Sequence, residues 1–510
     1  MKKEGFSVED LFNKMVSKIG NLDKKIIGYG KMSLLDNIEN EEVKAAFNKL
    51  SEVNIKFSLT TDEMIDLDNK FLEEDEQTEF AKSYRPYFFE FYAKISVEKL
   101  KEYNDYIGKW INISLVNSIK DGEKNYINGV AIFSASPLKR TRKYLLPDTS
   151  GLVPENEIAK LEKRVREMIN SQVVQSSDVV CTKVMEKINE FDRLNFTVYN
   201  VGQGNFIKLQ FHGDKSAQNT DDQDYVVLFD IGVTVSINPE ESSFIADNLE
   251  EFKELKPSAI ILSHWDTDHI LGITNMDQER AFGGEIAWIV PDPADIDEGV
   301  SRSVYILLAK LLKTQTRVAV VREDEQRVNE PVCATKDKTV FLWKGLGNKG
   351  VYQKPEFTSA NNIGLILQIV KNGKALLFPG DCEYTRMPEP CIRSYNFMIA
   401  SHHGAAQEFP SGLMASGFGR CIVSFGSNLF DHPKIQCLLK LRRLGYVYIG
   451  FTDYVKQFSF CFPSKKELAE IVSIQQAIHE LENGKPLTCC LCLDNFGMDA
   501  LKILRSDIFI

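Results

Sequence analysis

Four side chains able to hold a metal fall close together in Ser263-His264-Trp265-Asp266-Thr267-Asp268-His269: His264, Asp266, Asp268 and His269. The apolar run Ala259-Ile260-Ile261-Leu262 precedes them, and Ile270-Leu271-Gly272 follows. Such a run reads as a buried strand, so the four donors lie on a loop between a strand end and a helix start. A strand end fixes the backbone, and a short loop can then turn several donors onto one point. Imidazole and carboxylate together suit a borderline or moderately hard divalent ion, zinc or manganese. The chain holds only seven His, and two of them bracket this loop, which sets it apart from a solvated acidic turn.

The same pattern recurs along the chain. Phe196–Tyr199 reads as a strand leading into Val201-Gly202-Gln203-Gly204-Asn205, with Phe206–Gln210 as the return strand. Tyr225–Phe229 leads into Asp230-Ile231-Gly232, and a helix is expected across Phe244–Phe252. Strands are expected at Ile286–Val290 and Arg317–Val321, around a helix near Ser301–Leu312. A hairpin joins Ile363–Val370 to Ala375–Phe378 through Lys371-Asn372-Gly373, and its second strand ends in Pro379-Gly380-Asp381. Phe397–Ala400 runs into Ser401-His402-His403-Gly404, and Cys421–Phe425 leads to Asp431-His432-Pro433 and a helix to about Leu444. Apolar strands that end in Gly, Asp or His, one after another, are expected to converge on one site.

Residues before about 190 carry no such motif. Val8–Val16 and Glu41–Leu50 have helical periodicity, and Trp110–Val116 and Gly129–Phe133 read as strands. Lys139-Arg140-Thr141-Arg142-Lys143-Tyr144 reads as a surface loop, with a phosphate grip as the alternative. Pro154 opens an amphipathic helix through about Ile169, the polar stretch Ser171–Ser177 reads as a linker region, and a second helix covers Val179–Phe191. At the other end, Ser464-Lys465-Lys466-Glu467 is a capping box for a helix that ends at Gly484. Thr488–Leu493 and Ile508–Ile510 are expected to be closing strands, with Cys489, Cys490 and Cys492 as apolar filling rather than metal ligands.

A chain of 510 residues exceeds one ordinary domain. No apolar run is long enough to span a bilayer and Met1-Lys2-Lys3-Glu4-Gly5 opens no signal peptide, so a soluble, cytoplasmic protein without membrane contact is expected. The net charge of −11 argues against nonspecific coating of nucleic acid but not against a local basic groove.

The ordered set of motifs resembles the metallo-β-lactamase fold, and most closely the hydrolase domain of the ComEC competence family. The residues that carry the likeness are Asn200-Val201-Gly202-Gln203-Gly204, Phe229-Asp230-Ile231-Gly232 and His264-x-Asp266-x-Asp268-His269. Asn361-Asn362-Ile363-Gly364-Leu365, Pro379-Gly380-Asp381, His402-His403-Gly404, His432-Pro433 and Thr452-Asp453 complete them. The likeness covers about Asn195 to Phe462. It implies an α/β architecture, an αββα sandwich with its metal site at one edge of two sheets, to which residues 1–190 would add an N-terminal α+β domain. Residues 191–463 would form the hydrolase domain and 464–510 a helix and strand extension. Asp266 stands where the commonest form of the fold has His, as in the ComEC branch. Asn361-Asn362 stand where many relatives have a further His, which weakens one metal position. No channel helices accompany the domain, so the uptake function of ComEC does not transfer.

The resemblance also implies the ligands. Two divalent ions, zinc or manganese, would be held by His264, Asp266, Asp268, His269, Asp381 and His403, with Asp381 bridging. Asp268 would also orient a bridging hydroxide. His403 is preferred over His402, which would stand behind the ligands or supply the proton to the leaving group, and His432 would contact phosphate. The expected activity is hydrolysis of a phosphodiester in DNA or RNA. The alternatives are a small-molecule hydrolase acting on a cyclic nucleotide or lactone, and a non-catalytic regulator on the same fold. The N-terminal part would sense a signal or dock a protein partner. A fragment beginning near Val179 is expected to fold by itself, and loss of Asp268 or His269 is expected to cost little stability.

Overall fold

Apolar and polar residues alternate strictly along Val53-Asn54-Ile55-Lys56-Phe57-Ser58-Leu59-Thr60, which dictates a strand with one apolar face. In a computed structural model of the chain, this segment lies in a closed barrel of β1 (Ile26–Leu34), β2 (Glu52–Thr60), β3 (Phe88–Ser96), β4 (Trp110–Val116), β5 (Ile127–Ser134) and β6 (Lys139–Asp148). The strand order is β1-β2-β3-β5-β6-β4. The structure describes residues 25–34, 52–462 and 490–492, apart from 75–77, 121–124, 135–138, 152, 192, 213–223, 236–241, 296–299, 315–316, 323–328, 348–360, 372, 427–431 and 453–456. Val8–Val16, Glu41–Leu50, Asp431, Asp453, the helix expected after Ser464 and Ile508–Ile510 lie outside the described residues.

The barrel interior is aromatic. Phe57 meets Phe91 edge-on at 6.3 Å between ring centres, and Phe89 meets Phe133 at 5.8 Å. Where an α+β domain was expected, closed sheet therefore dominates, with α1 (Asp62–Glu73) and α2 (Glu79–Ser83) packed outside it. The segment from Lys139 is strand β6, not a surface loop: it pairs with β4 and β5. Arg142 is exposed, but Lys143 is buried and donates to Asn117 Oδ1, so the cations do not act as one surface patch.

A single helix, α3 (Glu155–Asn189), crosses the stretch read as a linker. The sequence between those ends holds neither Gly nor Pro, and polar side chains alone do not break a helix. Leu161, Val165 and Ile169 join the core that the barrel contributes to, whereas Val180, Val184, Met185 and Ile188 join the core between two sheets.

Those sheets begin with β7 (Arg193–Tyr199), β8 (Phe206–His212), β9 (Tyr225–Ile231), β10 (Ala259–Ile261), β11 (Ala287–Pro291) and β12 (Arg317–Val321). The second is built from β13 (Cys333–Ala334), β14 (Val340–Lys344), β15 (Leu365–Lys371), β16 (Lys374–Phe378), β17 (Ser394–Ile399), β18 (Met414–Val423) and β19 (Tyr446–Phe451) in sequential order. β20 (Gln457–Phe462) pairs with β7, and β21 (Cys490–Cys492) with β20, which completes the first sheet. Phe196 touches Phe378 at 5.5 Å and Phe397 at 4.8 Å between ring centres across the gap. Helices cover the outer faces. On one side lie α4 (Ser242–Glu254), whose Phe252 stacks on Phe206, and α5 (Arg302–Lys313); on the other lies α6 (Ile435–Arg443). The architecture is mixed α/β. Among the described residues, no helix is long and apolar enough to cross a membrane.

Every residue of α5 is buried, because barrel and sheets both pack on it. Arg302 Nε and Nη2 donate to Asp68 Oδ2 at 2.9 and 2.7 Å, and Nη1 donates to Ile158 O at 2.7 Å. Tyr84 and Tyr87 also donate to Asp68. Burial pushes the Asp68 carboxyl up, against the downward pull of Arg302. Lys313 Nζ donates to Phe71 O, Leu72 O and Glu74 O, and so satisfies carbonyls left open at the end of α1. Lys310 Nζ does the same for Ala81 and Lys82 in α2. Arg302→Met strands the Asp68 carboxylate; we expect a loss of about 3–5 kcal/mol in chemical denaturation. A change below about 1 kcal/mol would mean that the two tyrosines suffice.

Candidate metal centre

The site lies beyond the carboxyl ends of β9, β10, β16 and β17. Parallel pairing of β9 with β10, and of β16 with β17, points these ends the same way within each sheet. Asp230 closes β9 with φ 57° and is fully buried. Its Oδ1 accepts from Ser263 N at 2.6 Å, and its Oδ2 accepts from Ser263 Oγ at 2.8 Å and lies 2.8 Å from His269 Nδ1. With one proton on Nδ1 toward this carboxylate, His269 turns Nε2 inward, where it can ligate a cation that displaces any proton there. His403 is set the same way, with Nδ1 2.7 Å from Ser424 O. A carbonyl only accepts, so Nδ1 donates and Nε2 is left to face inward. The adjoining Gly232 has no room for a side chain: a Cβ there would lie 1.7 Å from Asp268 O.

The inward atoms converge on Asp381. His269 Nε2 lies 3.1 Å from Asp381 Oδ1, while His264 Nε2 and His403 Nε2 lie 4.0 and 3.7 Å from Oδ2. His264 Nε2 is 3.3 Å from Asp266 Oδ2, and His403 Nε2 is 3.3 Å from Asp268 Oδ2. Donor atoms of His264, His269 and Asp381 lie within 4.8 Å of one another, as do those of Asp268, His269 and His403. The Nε2 atoms of His264, His269 and His403 and Asp381 Oδ1 are buried without a hydrogen bond. Buried polar atoms are rarely left so, and imidazole lone pairs beside carboxylates suit a divalent cation. The residues present fit the expected metal.

Burial works against charge here, but the groups charge one another. Burial pulls the His269 pKa down, yet the Asp381 and Asp230 carboxylates hold it well above the usual imidazole range. Burial pushes the Asp381 carboxyl up, and the His269, His403 and His402 imidazoles override it.

His402, His403 and Gly404 occupy left-handed backbone in succession, with φ of 48°, 52° and 79°. The turn sends the two imidazoles apart. His403 is buried among the ligands, whereas His402 is 23% exposed, with Nε2 3.7 Å from Asp381 Oδ2. His432 sits 5.2 Å from the His402 ring, and burial together with the His402 and His403 charges pushes its pKa down to about 2. Asn361 lines the same cleft, and Asn362 Oδ1 accepts from Glu383 N.

The cleft encloses about 310 Å³. His402, His432, Gln203 and Lys434 line it from the two-sheet part, and Lys56 and Tyr92 line it from the barrel. The sequence reading missed both barrel residues and the role of Asp230. Asp230 had a signal, a strand ending in Asp and Gly; Lys56 and Tyr92 had none, since polar residues alternating on a strand read as solvated.

A model of the metallo-beta-lactamase superfamily matches residues 220–289, which include Asp230 and the His264–His269 loop. The likeness to the metallo-β-lactamase superfamily is thus shown for this segment, which carries one strand end and the main donor loop of the site. Members of the superfamily are generally metal-dependent hydrolases. The chain is also similar to the solved metallo-beta-lactamase fold protein YhfI from Bacillus subtilis. Identity is 13%, coverage 53% of this chain and 100% of that one, and the TM-score 0.30. A diphosphatase from the PhnP family is similar at 12% identity, over 53% and 99% of the two chains, with a TM-score of 0.28. No curated protein matches the sequence.

Elemental analysis after purification without chelator is expected to find up to two divalent ions per chain, held by the buried His and Asp donors around Asp381. Less than about half an equivalent, even after reconstitution with zinc or manganese, would argue against the centre.

Proposed function

We propose that the chain is a metal-dependent phosphodiesterase, a ComEC-like nuclease acting on DNA or RNA. The observation that carries the reading is the set of buried imidazole Nε2 atoms facing carboxylate oxygens around Asp381, opening on a cleft that also holds Lys56 and Lys434. His264 and Asp266 on one side, and Asp268, His269 and His403 on the other, would hold two ions with Asp381 between them. Bound there, zinc or manganese lowers the pKa of water and polarises phosphoryl oxygens. Asp230 and Ser424 O keep the Nδ1 protons of His269 and His403 turned outward. His402, part-exposed at the cleft, is placed to give a proton to a leaving oxygen. Lys56 and Lys434 suit an anionic substrate.

The cleft volume of about 310 Å³ favours a second reading, in which the substrate is a cyclic nucleotide or similar small phosphodiester. Purified protein with manganese or zinc, incubated with single-stranded DNA, RNA and a cyclic-dinucleotide panel, separates the two. Chelator-sensitive cleavage of a polynucleotide is expected. Cleavage of the cyclic compounds alone would favour the second reading, and no cleavage of any of them would sink both.

A further inference from the structure

β2 and β3 have no solvent face next to the metal centre. Val53, Ile55, Phe57 and Leu59 fill the barrel, while Asn54, Lys56, Ser58 and Thr60 alternate with them and are buried as well. Ser58 Oγ accepts from Arg302 N at 3.0 Å. Cross-strand pairing sets Ser58 opposite Glu90 and Lys56 opposite Tyr92, so these four share the outer face. Glu90 is buried there, accepting from Tyr92 OH at 2.5 Å and from Thr267 Oγ1 within the metal loop itself.

Lys56 is the cation of this face. Only 3% of the residue is exposed, and it lines the cleft. Among the described residues, Nζ meets one carboxylate, Asp266 Oδ1, at 3.9 Å, beyond hydrogen-bond reach. Asp266 is already engaged with His264 at 3.3 Å. A buried ammonium is stable only when paired and hydrogen-bonded, and this one lacks a close acceptor. Lys434 lines the same cleft, and Gln203 Oε1, also in its wall, is buried without a partner. Two cations beside metal donors make a receptor for an anion with several acceptor oxygens.

We propose that Lys56 of the N-terminal barrel, with Lys434, binds the phosphoryl group of the substrate, so that the barrel forms part of the active site and sets its preference for phosphorylated compounds. The proposal rests on the phosphodiesterase reading for its substrate, but binding can be read without turnover.

The test uses the full chain loaded with zinc and titrated calorimetrically with inorganic phosphate. Lys56→Met is expected to weaken phosphate binding at least tenfold with zinc content unchanged, and Lys56→Arg to restore part of it. Lys434→Ala is expected to weaken binding less, because that residue is less buried. Unchanged phosphate affinity in Lys56→Met would overturn the proposal, as would absence of phosphate binding in the parent chain. Weaker binding accompanied by loss of zinc would overturn it too, since Lys56 would then act only through Asp266. Phosphate binding that depends on Lys56 in a chain that cleaves no phosphodiester would uphold the receptor and reject the phosphodiesterase reading.

Discussion

A chain that begins at Val179 will be insoluble when expressed alone. The cut falls inside α3, whose first half packs with the barrel core and whose second half packs between the sheets. Removing the barrel also uncovers α5, all of whose residues are buried. Arg302 would lose Asp68, and Lys310 and Lys313 would lose the carbonyls of α1 and α2 that they bond. Newly exposed apolar surface and cations stripped of their buried partners favour aggregation. The expectation of independent folding, drawn from the polar stretch Ser171–Ser177, does not survive these contacts. A soluble, monomeric fragment that unfolds cooperatively would show that the shared core is dispensable.

Asp268→Ala should lower kcat at least about a thousandfold, the scale expected when several kcal/mol of charge stabilisation is lost. The fold should persist, because the backbone of Asp268 rather than its carboxylate holds the loop: its carbonyl accepts from Asn205 N and packs against Gly232. His269→Ala should abolish activity too, but with a different stability cost. His269 is fully buried rather than on a surface-reaching loop, and its removal leaves Asp230 Oδ2 with Ser263 Oγ as its remaining partner. A loss of about 1–3 kcal/mol is expected for that lost hydrogen bond to a buried carboxylate. Steady-state rates and urea unfolding of both variants would check this; rates within a few-fold of the parent would place the chemistry elsewhere.

Much of the two-sheet part could be read from the chain. Ala259–Ile261 and Tyr225–Ile231 are apolar on both faces because sheets buried between helices and another sheet leave no wet side. Their ends had to be polar, and so they marked the site. The barrel was harder to read. Closure is a long-range property, and no short stretch of β1 or β6 announces that its edge will be paired. The linker was misread because polarity was taken for flexibility, when only Gly or Pro would have broken α3. Lys56 was invisible for a related reason: half-polar strands usually face water, and this one faces a second globule.

That last arrangement leaves β2 without a spare side. From Val53 to Thr60 every residue is buried: the odd positions fill the barrel interior, and among the even ones Lys56 and Ser58 meet the body that carries the metal loop. A slip of one residue would push Lys56 into the aromatic interior and turn Phe57 onto Asp266. Drift by neutral substitution, the usual fate of a strand with a wet face, is closed to it. A stretch with no catalytic signature is thereby constrained on both of its faces.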